Sequence, residues 1–256
     1  MKFKWMAVSL ALLLSGVGPA LGTELTDAAK VLAGARWLDM KGHSDEQVRF
    51  TVTSRTGEAR TFVYRMRTRR DGQQIAIRGD ALDEKSAIPR FLILDDRAGG
   101  GEIAAFVSAL KRVVTLQPKK WGKAFQKSDF SYEDLVFVEL GRAVHAMKSS
   151  EGGRVVVRSE PPGESTAYRY LETVVQGSDG QRQTAEMYSR EGALVKRLTV
   201  QRFASAADGG FPVATLIEDL QSGSQTLMEV VEHKIHLPAE AFPAELFTRD
   251  GLKTAL

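Results

Sequence analysis

Period-two alternation, broken at short intervals by turn residues, runs through this chain and restricts it to a mainly β fold. Across 47–55, Val48, Phe50 and Val52 alternate with Arg49, Thr51 and Thr53, the pattern of a half-buried strand. Thr56-Gly57 turns the chain, and Phe62, Tyr64 and Met66 then alternate with Val63, Arg65 and Arg67. Asp71-Gly72 predicts a tight hairpin, because both residues tolerate positive φ. Ile75 and Ile77 carry the next strand. The resulting three-stranded meander places Phe50, Val52, Phe62, Tyr64, Met66, Ile75 and Ile77 on one apolar face. Such a face serves as core in most proteins, but on a curved, incompletely filled sheet it can hold a hydrophobic ligand.

The same rhythm predicts strands at 90–95, 102–108, 111–116, 154–158, 166–176, 184–190, 193–203, 211–220 and 226–236. Pro89, Gly99–Gly101, Pro161-Pro162-Gly163, Asp179-Gly180, Glu191-Gly192 and Ser222-Gly223 punctuate them. About ten or eleven short antiparallel strands with regular turns imply a barrel or sandwich. One helix is expected over 25–38, where Ala28, Ala29, Val31, Leu32, Ala35 and Trp37 share a face and Thr26-Asp27 can start it.

The N-terminus has a separate logic. Lys2 and Lys4 precede an apolar stretch over 6–14, and Ala20-Leu21-Gly22 supplies small residues for cleavage after about Gly22. The stretch is shorter than the roughly 20 residues that span a bilayer. Residues 1–22 therefore read as a signal peptide and 23–256 as a single β domain exported to the periplasm. The chain has no cysteine, which excludes disulfides, thiol catalysis, thiolate metal sites and a lipid-modified N-terminal cysteine. Its formal charge of +3 falls to about +1 once Lys2 and Lys4 are removed, so composition gives no support for nucleic-acid binding.

Asp129-Phe130-Ser131-Tyr132-Glu133-Asp134-Leu135 is the most specific local signal. Ser131 fits a helix N-cap and Asp134 the reciprocal third position of a capping box, with Phe130 and Leu135 as its hydrophobic staple. Glu133 and Asp134 also suit the positive end of the helix dipole. As neighbours on a helix they are expected to diverge rather than to share an acid/base site. His233 and His236, in a predicted strand, are expected to point to opposite faces and not to converge on a metal. No Gly-x-Ser-x-Gly elbow occurs, and Gly99–Gly101 lacks the Lys-Ser/Thr of a phosphate loop. No catalytic residue, metal site or cofactor is expected. Arg65, Arg67 and Arg69 are expected on the solvent face of a strand. Lys119 to Lys127, following Pro118 in a loop, could form a mobile lid or meet anionic lipid.

The segment Ala124-Phe125-Gln126-Lys127-Ser128-Asp129-Phe130-Ser131-Tyr132-Glu133-Asp134-Leu135 resembles the phenylalanine-rich turn and [ST]YEDL helix start of the LolA-like outer membrane lipoprotein-sorting proteins. Phe106-Val107-Ser108-Ala109-Leu110-Lys111-Arg112-Val113 is similar to that family's aromatic-x-Pro-x-x-Lys-Arg-Val strand pair, with Ser108 in place of proline. Lys127 stands in place of the glycine usual before Ser-Asp. Leu194-Val195-Lys196-Arg197-Leu198-Thr199-Val200, Phe211-Pro212, Ser222-Gly223-Ser224-Gln225-Thr226, Leu237-Pro238 and Phe247-Thr248 follow in the family's order. The resemblance implies a half-open antiparallel β-barrel covered by short lid helices. It also implies a non-enzymatic periplasmic carrier of lipids or lipoprotein acyl chains, often beside RND-type inner-membrane transporters and an outer-membrane acceptor. An accessory subunit that docks on such a transporter without cargo is the alternative. A hydrolase would require two carboxylates brought together by the fold.

Overall fold

The computed structural model describes residues 27–34, 41–72, 74–83, 86–96, 100–136, 143–161, 166–176 and 181–255. The signal peptide, the ends of the expected helix and the Asp179-Gly180 turn lie outside these residues. Ala28–Gly34 forms α1, started by Asp27, whose carboxylate accepts the Ala29 and Lys30 amides.

Among the described residues thirteen strands follow, all antiparallel. They are β1 (Ser44–Thr53), β2 (Ala59–Asp71), β3 (Gln74–Ala81), β4 (Arg90–Asp96), β5 (Gly100–Val107) and β6 (Arg112–Leu116). The second series is β7 (Val144–Glu151), β8 (Arg154–Glu160), β9 (Tyr168–Gln176), β10 (Gln181–Ser189), β11 (Leu194–Phe203), β12 (Pro212–Asp219) and β13 (Gln225–Lys234). Their order is β6-β5-β4-β3-β2-β1-β13-β12-β11-β10-β9-β8-β7. Each half is a simple meander, and β1 pairing with β13 joins the halves, with Phe50 opposite Met228 on one side and Phe62 on the other. The consecutive strands β6 and β7 are therefore the two opposite edges of the sheet, and the chain between them has to cross it.

The sheet is curled into an open half-barrel. In a flat sheet the ten steps from β6 to β9 would cover on the order of 50 Å. Here Trp121 bridges the gap almost alone. Its ring Nε1 donates to the Leu116 carbonyl in β6, and its carbonyl accepts the amide of Glu133, whose carboxylate holds the Ala167 amide beside β9. Curling gives an inner face, which carries the main core, and an outer face.

The strand count exceeds the expected ten or eleven. β7 shows why: it is an edge strand, largely exposed, and Val-His-Ala-Met-Lys-Ser-Ser-Glu has no buried face to impose alternation. The Asp71-Gly72 hairpin is shifted by one residue, since Asp71 still pairs with Gln74 and Gly72 turns the chain at φ 60°. Gly100 and Gly101 open β5 instead of forming a turn. His236 lies beyond the end of β13, at φ 52°. Gly79 is required where it stands: a Cβ there would lie 2.1 Å from the ring of Phe91, its cross-strand neighbour.

The expectation that Arg65, Arg67 and Arg69 face solvent holds only for Arg65. The outer face of β3–β6 is covered by the C-terminal turns, which bury Phe242, Phe247 and Leu252 against Leu92 and Ala104. Arg67 is buried there against Asp80, at 3.1 Å, and Arg69 donates to the Phe242 carbonyl. At the centre Arg78, fully buried, forks onto Asp80 (2.8 and 2.9 Å) and donates to the carbonyls of Leu246, Gly251 and Thr254. A guanidinium suits this position because its five donors satisfy one carboxylate and three carbonyls at once.

Arg78→Leu should thus leave Asp80 and three carbonyls underpaired and release the C-terminal strap. A loss of about 3 kcal/mol is expected, read by urea unfolding, with faster amide exchange confined first to residues 238–255.

Candidate functional site: a latched lid on the concave face

The chain that must cross from β6 to β7 does so over the inner face. It gives turns at Pro118–Lys120 and Phe125–Lys127 and then α2 (Tyr132–Val136). Ser131 and Asp134 cap α2 reciprocally: the Ser131 amide donates to Asp134 Oδ2 at 2.7 Å, and the Asp134 amide donates to Ser131 Oγ at 3.1 Å. Both staple residues, Phe130 and Leu135, pack into the main core cluster. The lid is also closed on itself, since Ala124 bridges Ser131, the Phe125 amide donates to the Phe130 carbonyl, and the Tyr132 amide to that of Lys123.

The lid's central side chain is Phe125. Its ring centre lies 5.6 Å from that of Phe50, 6.0 Å from Phe62, 5.2 Å from both Tyr64 and Phe91, and 5.5 Å from Tyr132. Most of these contacts are tilted or edge-on, the geometry that aromatic quadrupoles favour. The seven residues expected on one apolar face thereby find their places. Phe50, Tyr64, Ile75 and Ile77 are buried in the main cluster, and Phe62 and Met66 pack against it half-buried. Val52 is buried at the margin, outside the cluster. The face is filled by the lid. α1 covers the same inner face farther along, setting Ala28, Val31 and Leu32 on Val155, Val157 and Val175.

Polar latches surround the aromatic plug. On one side Gln126 Nε2 donates to Tyr64 Oη and Ser86 Oγ, each at 2.6 Å, while Arg60 donates to the Gln126 carbonyl at 2.6 Å. In the middle Asp129 accepts from Thr226 Oγ1 at 2.6 Å and from Ser224 Oγ. On the far side Asp134 accepts Tyr168 Oη and Lys196 Nζ, both at 2.8 Å. Burial raises the Tyr64, Tyr132 and Tyr168 hydroxyls above their ordinary range, so all three stay protonated.

Glu133 and Asp134 do not diverge as their adjacency suggests. Both are buried, and both reach the stretch leading into β9, Glu133 through the Ala167 amide at 3.1 Å and Asp134 through Tyr168. The chain entering β9 passes the helix start, where Ala167 meets Glu133 and Tyr168 meets Asp134. Asp134 has its two oxygens committed to Tyr168, Ser131 and Lys196, which suits a latch rather than a proton-transfer site. Glu133 Oε2 lacks a hydrogen-bond partner among the described residues. Burial, reinforced by the Asp134 charge, pushes the Glu133 carboxyl up to about 7. Tyr168 carried no site signal in the sequence, and Phe125, Gln126, Asp129 and Lys196 stood there only inside family-like segments without partners, because each latch joins residues distant in the chain and shows no period.

This curled antiparallel sheet is a fold shared with solved structures, one of them described as a LolA superfamily protein. An outer membrane lipoprotein-sorting protein domain from Vibrio parahaemolyticus, so described provisionally, superposes with a TM-score of 0.76 at 19% identity, over 89% of this chain and 97% of that one. A DUF1329 family protein from Desulfovibrio piger gives 0.76 at 15% identity over 88% and 95%. A LolA superfamily protein from Nitrosomonas europaea gives 0.68 at 17% identity over 88% and 99%. No curated protein matches in sequence. A family model described as "Uncharacterized protein" matches residues 84–254, and the chain belongs to that family.

The Glu133 carboxyl makes lid closure dependent on pH. Its folded value lies above the ordinary 4.5, so the closed lid holds a proton that a released lid gives up. Closure is strongest below about 4.5, weakens as pH rises towards about 7 and is level above it, with a ceiling of roughly 3 kcal/mol. Amide exchange across residues 121–135 should accelerate over this window, and Glu133→Gln should flatten the response.

Proposed function

We propose that this protein is an exported, non-enzymatic carrier of the periplasm that binds lipid or lipoprotein acyl chains on its inner sheet face. The observation that carries the reading is Phe125, a removable apolar plug. The aromatic floor is covered by one chain segment held at its margins by polar latches, and not by a second sheet. Polar latches can exchange for water at little net cost, at about 1 kcal/mol each, whereas the floor has to be covered by something apolar. An acyl chain fits that requirement. About a dozen methylenes buried there gain roughly 10 kcal/mol, against the roughly 3–5 kcal/mol that removing one buried Phe ring costs. The lipoprotein-sorting description of the Vibrio parahaemolyticus domain agrees with this reading. Under it, an RND-type inner-membrane transporter and an outer-membrane acceptor are the donor and receiver. Phe50, Phe62, Tyr64, Met66, Ile75 and Ile77 line the acyl site, and Val52 flanks it.

The filled inner face supports a second reading. A sheet whose core is already complete suits an accessory subunit that docks on a transporter without cargo.

Fatty-acid uptake separates the two. The wild-type protein should take up a fluorescent fatty acid saturably, and Phe125→Ala should take it up severalfold more tightly while losing about 3 kcal/mol of stability. Native mass spectrometry of protein from the periplasm should show a bound lipid. Absence of uptake by both forms, with empty protein throughout, would sink the carrier reading and leave the docking subunit.

A further inference from the structure

The outer side of the lid has a different chemistry from its inner side. From Lys111 to Ser128 the sequence contains six cations (Lys111, Arg112, Lys119, Lys120, Lys123 and Lys127) and no carboxylate. All six are exposed, and none forms an ion pair with a described residue. The next acid, Asp129, is turned inward onto Thr226. The mature chain carries only about +1, after removal of Lys2 and Lys4 from +3, so its charge is strongly segregated towards this segment.

Two of these lysines occupy backbone positions made for glycine. Lys111 has φ 48° and Lys127 φ 56°, and with Gln126 at φ 50° they are three of the four non-glycine residues at positive φ among those described. An L side chain is strained in that conformation, and glycine is not. Neither ammonium group serves the fold. The strain is tolerated at two separate turns that share one property, an exposed positive charge.

These turns also sit at one end of the sheet. Ser108 bonds the Ala87 carbonyl, Gln126 bonds Ser86, and Arg60 bonds Gln126, so the β5–β6 turn, the β3–β4 loop and the lid tip form a continuous rim. Leu110, next to Lys111, is 53% exposed on that rim. In an all-antiparallel sheet, Leu82, Leu110, Val144 and Leu220 all fall at this end, and they are four of the five exposed large apolar side chains among the described residues. The described carboxylates at this rim are Asp83, the exposed Glu58 and the inward-turned Asp129, while Glu160, Glu191 and Asp219 fall at the same end farther along the sheet.

The geometry points to this rim as a docking surface for an anionic phospholipid bilayer, with the lid lysines on the headgroups and Leu110 entering the interface. Cations on long flexible stems around isolated leucines match laterally mobile headgroups. A protein interface would centre on a desolvated aromatic or arginine cluster, and the aromatic residues of the lid point inward. Docking would bring the bilayer against the segment that closes the sheet. The proposal does not require the carrier reading, although it would place lid opening at the membrane if that reading holds.

Co-sedimentation with large unilamellar vesicles tests it. Protein purified from the periplasm should bind vesicles containing phosphatidylglycerol and not vesicles of phosphatidylcholine alone, and binding should fall as salt is raised. The double variant Lys111→Gly/Lys127→Gly relieves both strained positions, so its thermal midpoint should be unchanged or higher. Its vesicle affinity should nevertheless drop roughly twenty-fivefold, at about fivefold per lost charge. Equal binding to both vesicle types, binding to neither, or a variant that binds as tightly as wild type would each overturn the proposal. Fatty-acid uptake by the same variant in vesicle-free solution reports on the carrier reading separately.

Discussion

Phe125 meets five aromatic rings, and much of the architecture can be understood as the means of keeping it there. A sheet curled this far has an interior that no second layer covers. Water cannot be left against Phe50, Tyr64 and Phe91 without forfeiting the burial that drives the fold. The covering has to come from the chain itself. The topology supplies it, because β6 and β7 are consecutive in sequence but lie at opposite edges of the sheet. Their connection cannot avoid crossing the opening.

The two faces of the sheet are closed by different physics. On the outer face, the C-terminal turns are held by Arg78, a buried charge satisfied by Asp80 and three carbonyls. Breaking such a cluster leaves uncompensated polar groups in the interior, so this strap is built to stay. On the inner face, the lid is held by an apolar plug and by side-chain hydrogen bonds at its margins. Water can replace those bonds, and another apolar group can replace the plug. Under the proposed carrier reading, a permanent clasp on one side and an exchangeable cover on the other would let the sheet open inward without unfolding.

The lid combines three functions in about twenty residues. Its inner side completes the core, its helix start carries Glu133 with a carboxyl poised near neutrality, and its outer side carries exposed lysines, with Lys127 at a strained turn. The first is a requirement of folding. The other two are not needed for stability, and each exacts some from the closed state.

Much of this was legible in the residues alone. Alternation at Val48-Phe50-Val52 and Phe62-Tyr64-Met66 identified strands, faces and their antiparallel pairing, because a side-chain period of two reports directly on a half-buried sheet. The capping box at Ser131 and Asp134 was equally readable, since both partners lie within one turn of helix. The edge strand β7 was not, because an exposed strand imposes no pattern, and the arginines of β2 misled because alternation reveals which side a residue faces but not what covers that side. Only the tertiary structure decided that the inner face is filled, that Arg67 and Arg78 are interior, and that Asp134 meets Tyr168 and Lys196. Those outcomes depend on contacts between segments many residues apart, and local sequence carries no record of which distant segments the curl of the sheet brings together.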